Sequence, residues 1–342
     1  MKWLQQERLG LILCIGLAIP SHLLGQQYPL IGGPVIAILM GMLIGQFPFK
    51  RAPFTKGITY ASKKILQYAV ILLGFGLNLR IVLETGLQSL PIIISTITIA
   101  LLVAYLCYRY LSINSTMATL IGVGSSICGG SAIAVTAPII KADDKEIAQA
   151  ISVIFFFNVM AALLFPTLGV YLGLSPSSGE AFGLFAGTAV NDTSSVTATA
   201  ATWDSMFNLG SETLDKAVTV KLTRTLAIIP ITLLLAYITA SKTPTTSTTP
   251  SIRKVFPVFI LYFIGASLLT TLALTMGIPT EVFSPLKTLS KFFIVIAMVA
   301  IGLNTDILKL IRSGVKPLFI GFLCWLSITI TALLLQYILG IW

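Results

Sequence analysis

Long apolar runs follow one another along almost the whole chain, with short polar connections between them. A helix needs about 20 predominantly apolar residues to cross the roughly 30 Å hydrocarbon core of a bilayer. Runs of this length predict an all-α polytopic membrane protein that forms a single integral membrane domain over residues 1–342, with about eleven transmembrane helices. The expected spans lie near residues 9–25, 30–47, 63–79, 88–110, 116–140, 147–173, 180–202, 216–240, 254–276, 285–304 and 316–340.

Two of the expected spans contain stretches rich in Gly, Ser and Thr. The first, Gly122–Val135, reads GVGSSICGGSAIAV, and the second, Gly187–Thr199, reads GTAVNDTSSVTAT. Gly destabilises a helix by about 1 kcal/mol relative to Ala, and Ser and Thr compete for backbone hydrogen bonds. Both spans are therefore expected to be discontinuous helices, which is typical of the binding sites of secondary transporters. The alternative is that the small residues only let helices pack closely.

A second internal similarity joins two Gly-Leu-Asn copies, at 76–78 and 302–304. Seven expected crossings separate the copies, and an odd number gives them opposite orientations, which predicts an inverted repeat. Only one expected span separates the two Gly/Ser-rich stretches, so the same count makes those stretches parallel. Either one stretch is re-entrant, or the similarity between them is only compositional.

The distribution of charge also indicates a membrane protein. Only 10% of the residues are charged, against about 25% in soluble domains. The formal net charge is +10, but the basic residues lie in short connections, where they indicate topology rather than nucleic acid binding. The face that carries the N-terminus receives fourteen Lys and Arg residues and the opposite face six, which predicts a cytoplasmic N-terminus. The Ser/Thr/Pro-rich connector at 241–251 is expected to separate two parts of the bundle.

One carboxylate, Asp192, lies well inside an expected span. It can cap the free N–H groups of a broken helix, as Asn and Asp commonly do. It can also bind and release protons or cations during transport, because an acid is costly inside a membrane and usually functional there. The pair Asn191-Asp192 is therefore the expected coupling site.

Two basic residues, Lys221 and Arg224, lie three positions apart and share one face of the eighth expected span. Each such charge costs about 2.5–3.5 kcal/mol at the centre of a membrane helix. Asp192 can neutralise one of them, and the other then requires an anion or backbone carbonyls. Two cations and one acid beside broken helices favour an anion site, and a purely structural Asp–Arg pair is the alternative. Pro230 is expected to bend the same helix.

Neutral groups of the two Gly/Ser-rich stretches can complete such a site. With Lys221 and Arg224, the expected substrate-binding residues are Ser125, Ser126, Cys128, Gly129, Gly130, Ser131, Thr193 and Ser194. Asn78 and Asn304 either cap helices or line the cavity. The four cysteines have no metal-binding spacing and His22 lies near the end of a span, so we expect no metal and no cofactor.

Several of these segments together resemble the YeiH-type sulfate exporter family, a UPF0324-like group within the cation–proton antiporter and bile-acid symporter superfamily. The matching segments are LLGFGLNL from Leu72, SICGGSAIA followed by Pro138, Asn191-Asp192, KLTRTLAIIP at 221–230 and AIGLNTD at 300–306. The resemblance implies a multi-pass protein of the bacterial inner membrane, with paired discontinuous helices crossing at the midplane, that exports sulfate or a related small anion. Many members carry His-Glu where this chain has Asn191-Asp192, so one titratable group is lost, which bears on the proton stoichiometry.

The favoured function is a secondary transporter that exports a small oxyanion, such as sulfate or a sulfonate, with coupling to protons or sodium at Asp192. The alternative is a cation/proton antiporter in which Asp192 is the cation and proton site. An intramembrane enzyme is disfavoured because the sequence has no HExxH motif and no base beside Ser126 or Cys128. The expected partners are the lipid bilayer, an inorganic or organic anion and a proton or sodium ion, without nucleic acid, and a homo-oligomer is left open.

Overall fold

A computed structural model describes residues 2–28, 32–46, 53–111, 113–242, 258–305 and 314–342. Within these ranges the chain is helical, without a β-strand. The helices are α1 Lys2–Gln27, α2 Gly33–Gln46, α3 Thr55–Tyr60, α4 Leu66–Gly74, α5 Leu79–Tyr110, α6 Ser115–Ser126, α7 Gly130–Ile139, α8 Asp144–Tyr171, α9 Glu180–Ala189, α10 Thr193–Phe207, α11 Glu212–Thr225, α12 Ile228–Lys242, α13 Phe259–Thr275, α14 Ser284–Asn304 and α15 Val315–Ile338. A π-helical segment, Ala61–Ile65, joins α3 to α4, and a 3₁₀ turn, Thr280–Phe283, precedes α14. Most of the connector predicted at 241–251, and Asp306, lie outside the described residues.

Six helical segments of the described chain are long and apolar enough to cross a membrane. They are Arg8–Gln27, Leu79–Tyr110, Asp144–Tyr171, Glu212–Leu235, Glu281–Asn304 and Val315–Ile338. Three shorter apolar helices, α2, α7 and α13, accompany them. The expectation of an all-α polytopic membrane protein is thus confirmed.

The first Gly/Ser-rich stretch forms a helical hairpin, which we call hairpin 1 and which consists of α6 and α7. Asn114, at the start of α6, donates from its side-chain amide to Glu146 Oε1, in the first turn of α8, at 2.5 Å. The beginning of α6 and the beginning of α8 therefore lie at the same end of the bundle. Since α7 connects the inner end of α6 to α8, it returns towards the end from which α6 started.

The second stretch forms hairpin 2, which consists of α9 and α10. The ring of Phe182, in the first turn of α9, stacks on Trp203, near the end of α10, with centroids 4.0 Å apart. Glu212 Oε1 accepts from Gly179 N at 2.9 Å, and the carboxylate of Asp204 accepts from Thr213 N at 2.9 Å. The beginning of α9 and the end of α10 therefore lie together, next to the start of α11.

Of the alternatives left open for the spans expected at 116–140 and 180–202, these contacts favour re-entrant segments. Each segment folds back on itself, because its two arms of 10–15 residues are separated by a break in the helix. At 1.5 Å per residue such an arm is about 15–22 Å long, which reaches the middle of a bilayer and not its far side. The long helix α8 lies between the hairpins in the chain, so they enter the bundle from opposite ends.

The Gly-Leu-Asn copies occupy dissimilar surroundings. Gly302 allows close approach of α14 to α2, since a Cβ on Gly302 would lie 2.3 Å from Ile38 O. Gly76 leaves room for the Lys287 side chain. A Cβ added at residue 76 would collide with Lys287 Cε. Asn78 caps α5 by accepting from Arg80 N at 2.9 Å, whereas Asn304 is exposed at the end of α14. Both glycines serve close packing.

The helices pack in two groups, α1–α4 with α13 and α14, and α5–α12 with α15. The groups meet where α10 packs on α2 and α14, and two lysines of α14 join them at one end. Lys287 Nζ lies 2.8 Å from Asp215 Oδ2, and Lys291 Nζ donates to Gly210 O at 2.7 Å. Beside these contacts a cavity of about 430 Å³, lined partly by His22, Asp204 and Lys291, lies between the groups. The hairpins therefore belong to one group, and the joint between the groups is partly open.

Single cysteines at exposed positions test the two hairpins. We predict that Arg109→Cys and Lys145→Cys, which flank hairpin 1, react with an impermeant maleimide from one side of the membrane, and Ser177→Cys and Asn208→Cys, which flank hairpin 2, from the other. Continuous crossings require a different pairing, Arg109 with Ser177 and Lys145 with Asn208. The four native cysteines are buried, so the unmodified chain supplies the background control.

Candidate functional site

The tip of hairpin 1 is an abrupt reversal between α6 and α7. Ile127 has φ −117° and ψ −87°, outside the helical region, and Gly129 has φ 71°. A positive φ is strained for residues with a side chain and available to glycine, so Gly129 explains why the chain can turn here. Helix α7 then begins at Gly130, and its N-cap residue, Gly129, has no side chain with which to cap it.

The tip of hairpin 2 is built differently. Helix α9 ends at Ala189, the chain becomes extended at Val190, and Asp192 is the N-cap of α10 with φ −106° and ψ 141°. The Asp192 carboxylate accepts from Ser194 N at 3.2 Å and also from Ser194 Oγ. Asp192 therefore caps α10, which is one of the two roles expected for it. Asp is among the residue types preferred at this position.

The two tips touch. The position of a Cβ on Gly129 lies 3.4 Å from Asp192 Cβ and 3.6 Å from Asn158 Nδ2. Asn158, on α8, also accepts from Asn191 N at 3.2 Å. Helix α8 thus contacts both tips, and the predicted meeting of two interrupted stretches is present in the structure.

Two fully buried cations of α11 hold the tips together. Lys221 Nζ donates to Ile127 O at 2.8 Å and to Val190 O at 3.0 Å, which belong to different hairpins. Arg224 donates from Nε to Ser126 O at 2.8 Å and from Nη2 to Ser125 O at 3.0 Å. Its third contact, from Nη1, is with Thr188 O of hairpin 2.

These contacts satisfy the carbonyl ends of α6 and α9. The last carbonyls of a helix have no intrahelical partner and carry the negative end of the helix dipole, where cations are stabilising. Of the alternatives for neutralising Lys221 and Arg224, the structure selects backbone carbonyls for both. Asp192 takes part in none of the ion pairs formed by the described residues.

The residues that a solute can reach differ from those that hold the tips. Gly130, Asp192 and Thr193 are half-buried and Ser131 is exposed. Ser125, Ser126, Cys128, Asn191 and Ser194 are buried, and Ser126 Oγ donates to Val123 O within its own helix. The N–H groups of Gly130 and Ser131, in the first turn of α7, have no intrahelical acceptor. The start of α7, where these N–H groups lie, follows directly on Gly129, whose Cβ position is 3.4 Å from Asp192 Cβ.

The remaining candidates lie elsewhere or carry no metal-binding geometry. Asn78 and Asn304 stand at helix ends on α5 and α14 rather than at the tips. Among the described residues, no group of three or more His, Cys, Asp or Glu side chains could hold a metal ion.

Sequence reasoning missed Asn158, which contacts both tips. Its signal was present, since a buried asparagine within the apolar run IFFFNVM of a membrane helix is unusual. It also missed the pairing of Asp215 with Lys287, which joins residues 72 positions apart. Pro230 acts as expected, because it has no N–H for Leu226 O, which accepts instead from Ile229 N at 3.2 Å in a tighter turn between α11 and α12.

Arg224→Met tests the role of the buried guanidinium. The variant leaves carbonyls of both hairpins without donors, and removing one partner from a buried charged contact typically costs about 3–5 kcal/mol. We expect a marked drop in the unfolding temperature in detergent. Arg80→Met is the control, because Arg80 and Glu84 form a solvent-exposed ion pair of the kind that contributes little to stability. Equal unfolding temperatures for the two variants would contradict the assigned role.

Comparison with known proteins places these features in a family. The sequence model of a family described as Conserved hypothetical protein 698 matches residues 9–321. A UPF0324 membrane protein of Streptococcus agalactiae is 58% identical over 333 residues, which cover 97% of this chain and 98% of that protein. A UPF0324 membrane protein of Fusobacterium nucleatum is 57% identical over an alignment of 343 positions, which covers 97% of this chain and 98% of the relative. The chain therefore belongs to the UPF0324 family of membrane proteins, in agreement with the resemblance indicated by its motifs.

Proposed function

We propose that this protein is a secondary transporter that exports a small oxyanion, such as sulfate or a sulfonate, through the meeting point of the two hairpin tips. The observation that carries the proposal is the complete burial of two basic side chains, Lys221 and Arg224, at that point, with the carboxylate of Asp192 beside them. Each other part of the proposal depends on how this charge is arranged.

The charge balance at the tips favours an anion. The negative ends of α6 and α9 and the positive ends of α7 and α10 approximately cancel, since each end carries about half an elementary charge. Two cations and one ionised carboxylate then leave about one net positive charge at the meeting point. Such a potential raises the local concentration of anions even if the anion makes no direct contact with Lys221 or Arg224.

The groups that contact the solute are different from those expected at first. Lys221 and Arg224 are engaged by carbonyls, so they act through their field and by holding the tips in place. Direct contacts come from the free N–H groups of Gly130 and Ser131 at the start of α7, the Ser131 hydroxyl and Thr193. Uncapped helix N-termini bind oxyanions through such N–H groups.

Asp192 is the coupling residue in this proposal. Its Cβ lies close to Gly129, so its charge opposes an anion at the start of α7. Protonation of Asp192 removes that charge, and the anion and the proton therefore favour each other's binding by the same factor.

The orientation follows from the re-entrant hairpins. Without crossings at 116–140 and 180–202, nine of the eleven expected crossings remain in this proposal, and the connection that holds Lys141 and Lys145 moves to the N-terminal face. That face then carries sixteen basic residues and the opposite face four, Arg80, Lys216, Lys287 and Lys291. This asymmetry favours a cytoplasmic N-terminus in a bacterial inner membrane. The two hairpins are inverted relative to each other in this proposal, whereas the inverted repeat predicted from the Gly-Leu-Asn copies stays a prediction.

The direction of transport is outward in this proposal. Each elementary charge that moves across the membrane exchanges about 2.3 kcal/mol per 100 mV, and the inside of a bacterial cell is negative. A divalent anion accompanied by one proton still carries one net negative charge, so the membrane potential drives it out of the cell.

A cation/proton antiporter is the second candidate, and one observation favours it. Asp192 is half-buried, while the cations beside it are fully buried and bonded to carbonyls. In this alternative a small cation would bind Asp192 directly. Lys221 and Arg224 would only hold the two hairpin tips together.

Ser131→Asp distinguishes the two candidates. The residue is exposed and an acid is tolerated in the first turn of a helix, so we expect the protein to fold. The added carboxylate occupies the anion position, and we expect at least a tenfold loss of labelled sulfate transport in proteoliposomes, equivalent to about 1.4 kcal/mol. Ser131→Asn is the matched neutral control and should retain transport. Proton-linked sodium flux that survives in Ser131→Asp, without sulfate transport by the unmodified protein, would establish the antiporter.

Asp192→Asn tests the coupling. The amide imitates the neutral, protonated carboxyl group, so sulfate transport should persist and lose its dependence on pH. We would measure sulfate counterflow in proteoliposomes across a pH series, with Glu281→Gln, an exposed acid far from the tips, as the control. An unchanged pH profile in Asp192→Asn would contradict the assignment.

A further inference from the structure

Asn191 has an unusual side chain for its position. It is 1% exposed, and neither its Nδ2 nor its Oδ1 has a hydrogen-bond partner. Buried amides are normally paired, and an unpaired one calls for a specific explanation. The residue stands at the tip of hairpin 2, next to Asp192, so its amide lies where a solute would be enclosed.

Asn158 is the second amide at this point. It is 2% exposed, and its Oδ1 accepts a hydrogen bond from Asn191 N. Its Nδ2 therefore points away from Asn191 N. This Nδ2 lies 3.6 Å from the position of a Cβ on Gly129, next to the first turn of α7. The bond to Asn191 N thus fixes an N–H donor beside the uncapped helix end.

We propose that Asn158 and Asn191 form an amide pair that binds the transported oxyanion once the tips have closed around it. This inference rests on the proposed function and identifies the substrate ligands that are buried in the present structure. The amides supply neutral N–H donors, while Asp192 retains the proton. With these amides as ligands, an anion can bind while Lys221 and Arg224 keep their hydrogen bonds to the backbone carbonyls.

The inference makes Asn191 a binding residue that does not stabilise the empty protein. Leu has a similar size without polar atoms, so Asn191→Leu removes an unpaired buried amide and should not lower the unfolding temperature. It should abolish the rise in unfolding temperature that sulfate produces in the unmodified protein, and reduce sulfate transport at least tenfold.

Gln336 provides a matched control in the same chain. It is fully buried on α15, and its Nε2 and Oε1 also have no hydrogen-bond partner. Gln336→Leu therefore makes the same chemical change away from the tips. We expect it to match Asn191→Leu in stability without sulfate and to keep both the sulfate response and transport.

Asn158→Asp provides a second, independent test. The carboxylate still accepts from Asn191 N, so the link between α8 and hairpin 2 is kept, but the N–H donors are replaced by an oxygen. Sulfate transport should fall at least tenfold at neutral pH and recover in part at acid pH, where the carboxyl group carries a proton. The unfolding temperature without sulfate is measured across the same pH series, because a merely structural role predicts that it falls and recovers together with transport.

The outcomes separate this inference from the proposed function. A lower unfolding temperature for Asn191→Leu without sulfate, or a sulfate response that it retains, would overturn the amide pair. So would neutral-pH transport by Asn158→Asp equal to that of the unmodified protein. If the unmodified protein neither transports sulfate nor responds to it, the proposed function itself fails.

Discussion

Two buried cations on one helix determine how the rest of the molecule is arranged. Lys221 contacts carbonyls of both hairpin tips, and Arg224 does the same one turn further along α11. A helix that stops in the middle of a membrane leaves carbonyls that water cannot reach, and each one is costly if unpaired. The long side chains of α11 satisfy these carbonyls in both hairpins at once. The interruptions and the cations are therefore mutually dependent features of the fold.

The same arrangement explains why positive charge is tolerated so far from water. An isolated buried charge is strongly unfavourable, and its cost falls when several hydrogen bonds and opposed dipoles surround it. The carbonyl ends of α6 and α9 supply both. The positive charge that the proposed function assigns to the tips, after all four helix ends and Asp192 are counted, is the basis of the anion hypothesis.

The two tips are chemically unequal, although their sequences are similar. Hairpin 2 carries its own N-cap, Asp192, whereas hairpin 1 has Gly129 at the corresponding place and leaves the start of α7 open. One helix end is thus occupied by a fixed, titratable carboxylate and the other is available to a solute. In the proposed function, the close contact between them lets the protonation of Asp192 affect the binding of an anion at the start of α7.

The sequence by itself determined the membrane class, the places where the helices break, the family, and the position of Lys221 and Arg224 within an apolar segment. Those features depend on local composition and spacing, which can be read directly from neighbouring residues. It did not determine that the broken segments fold back, because two half-crossings contain about as many apolar residues as one full crossing. That choice depends on contacts between distant positions, such as Asn114 with Glu146 and Gly179 with Glu212. The partners of the buried cations were likewise decided only in the tertiary structure, since backbone carbonyls have no signature in the sequence.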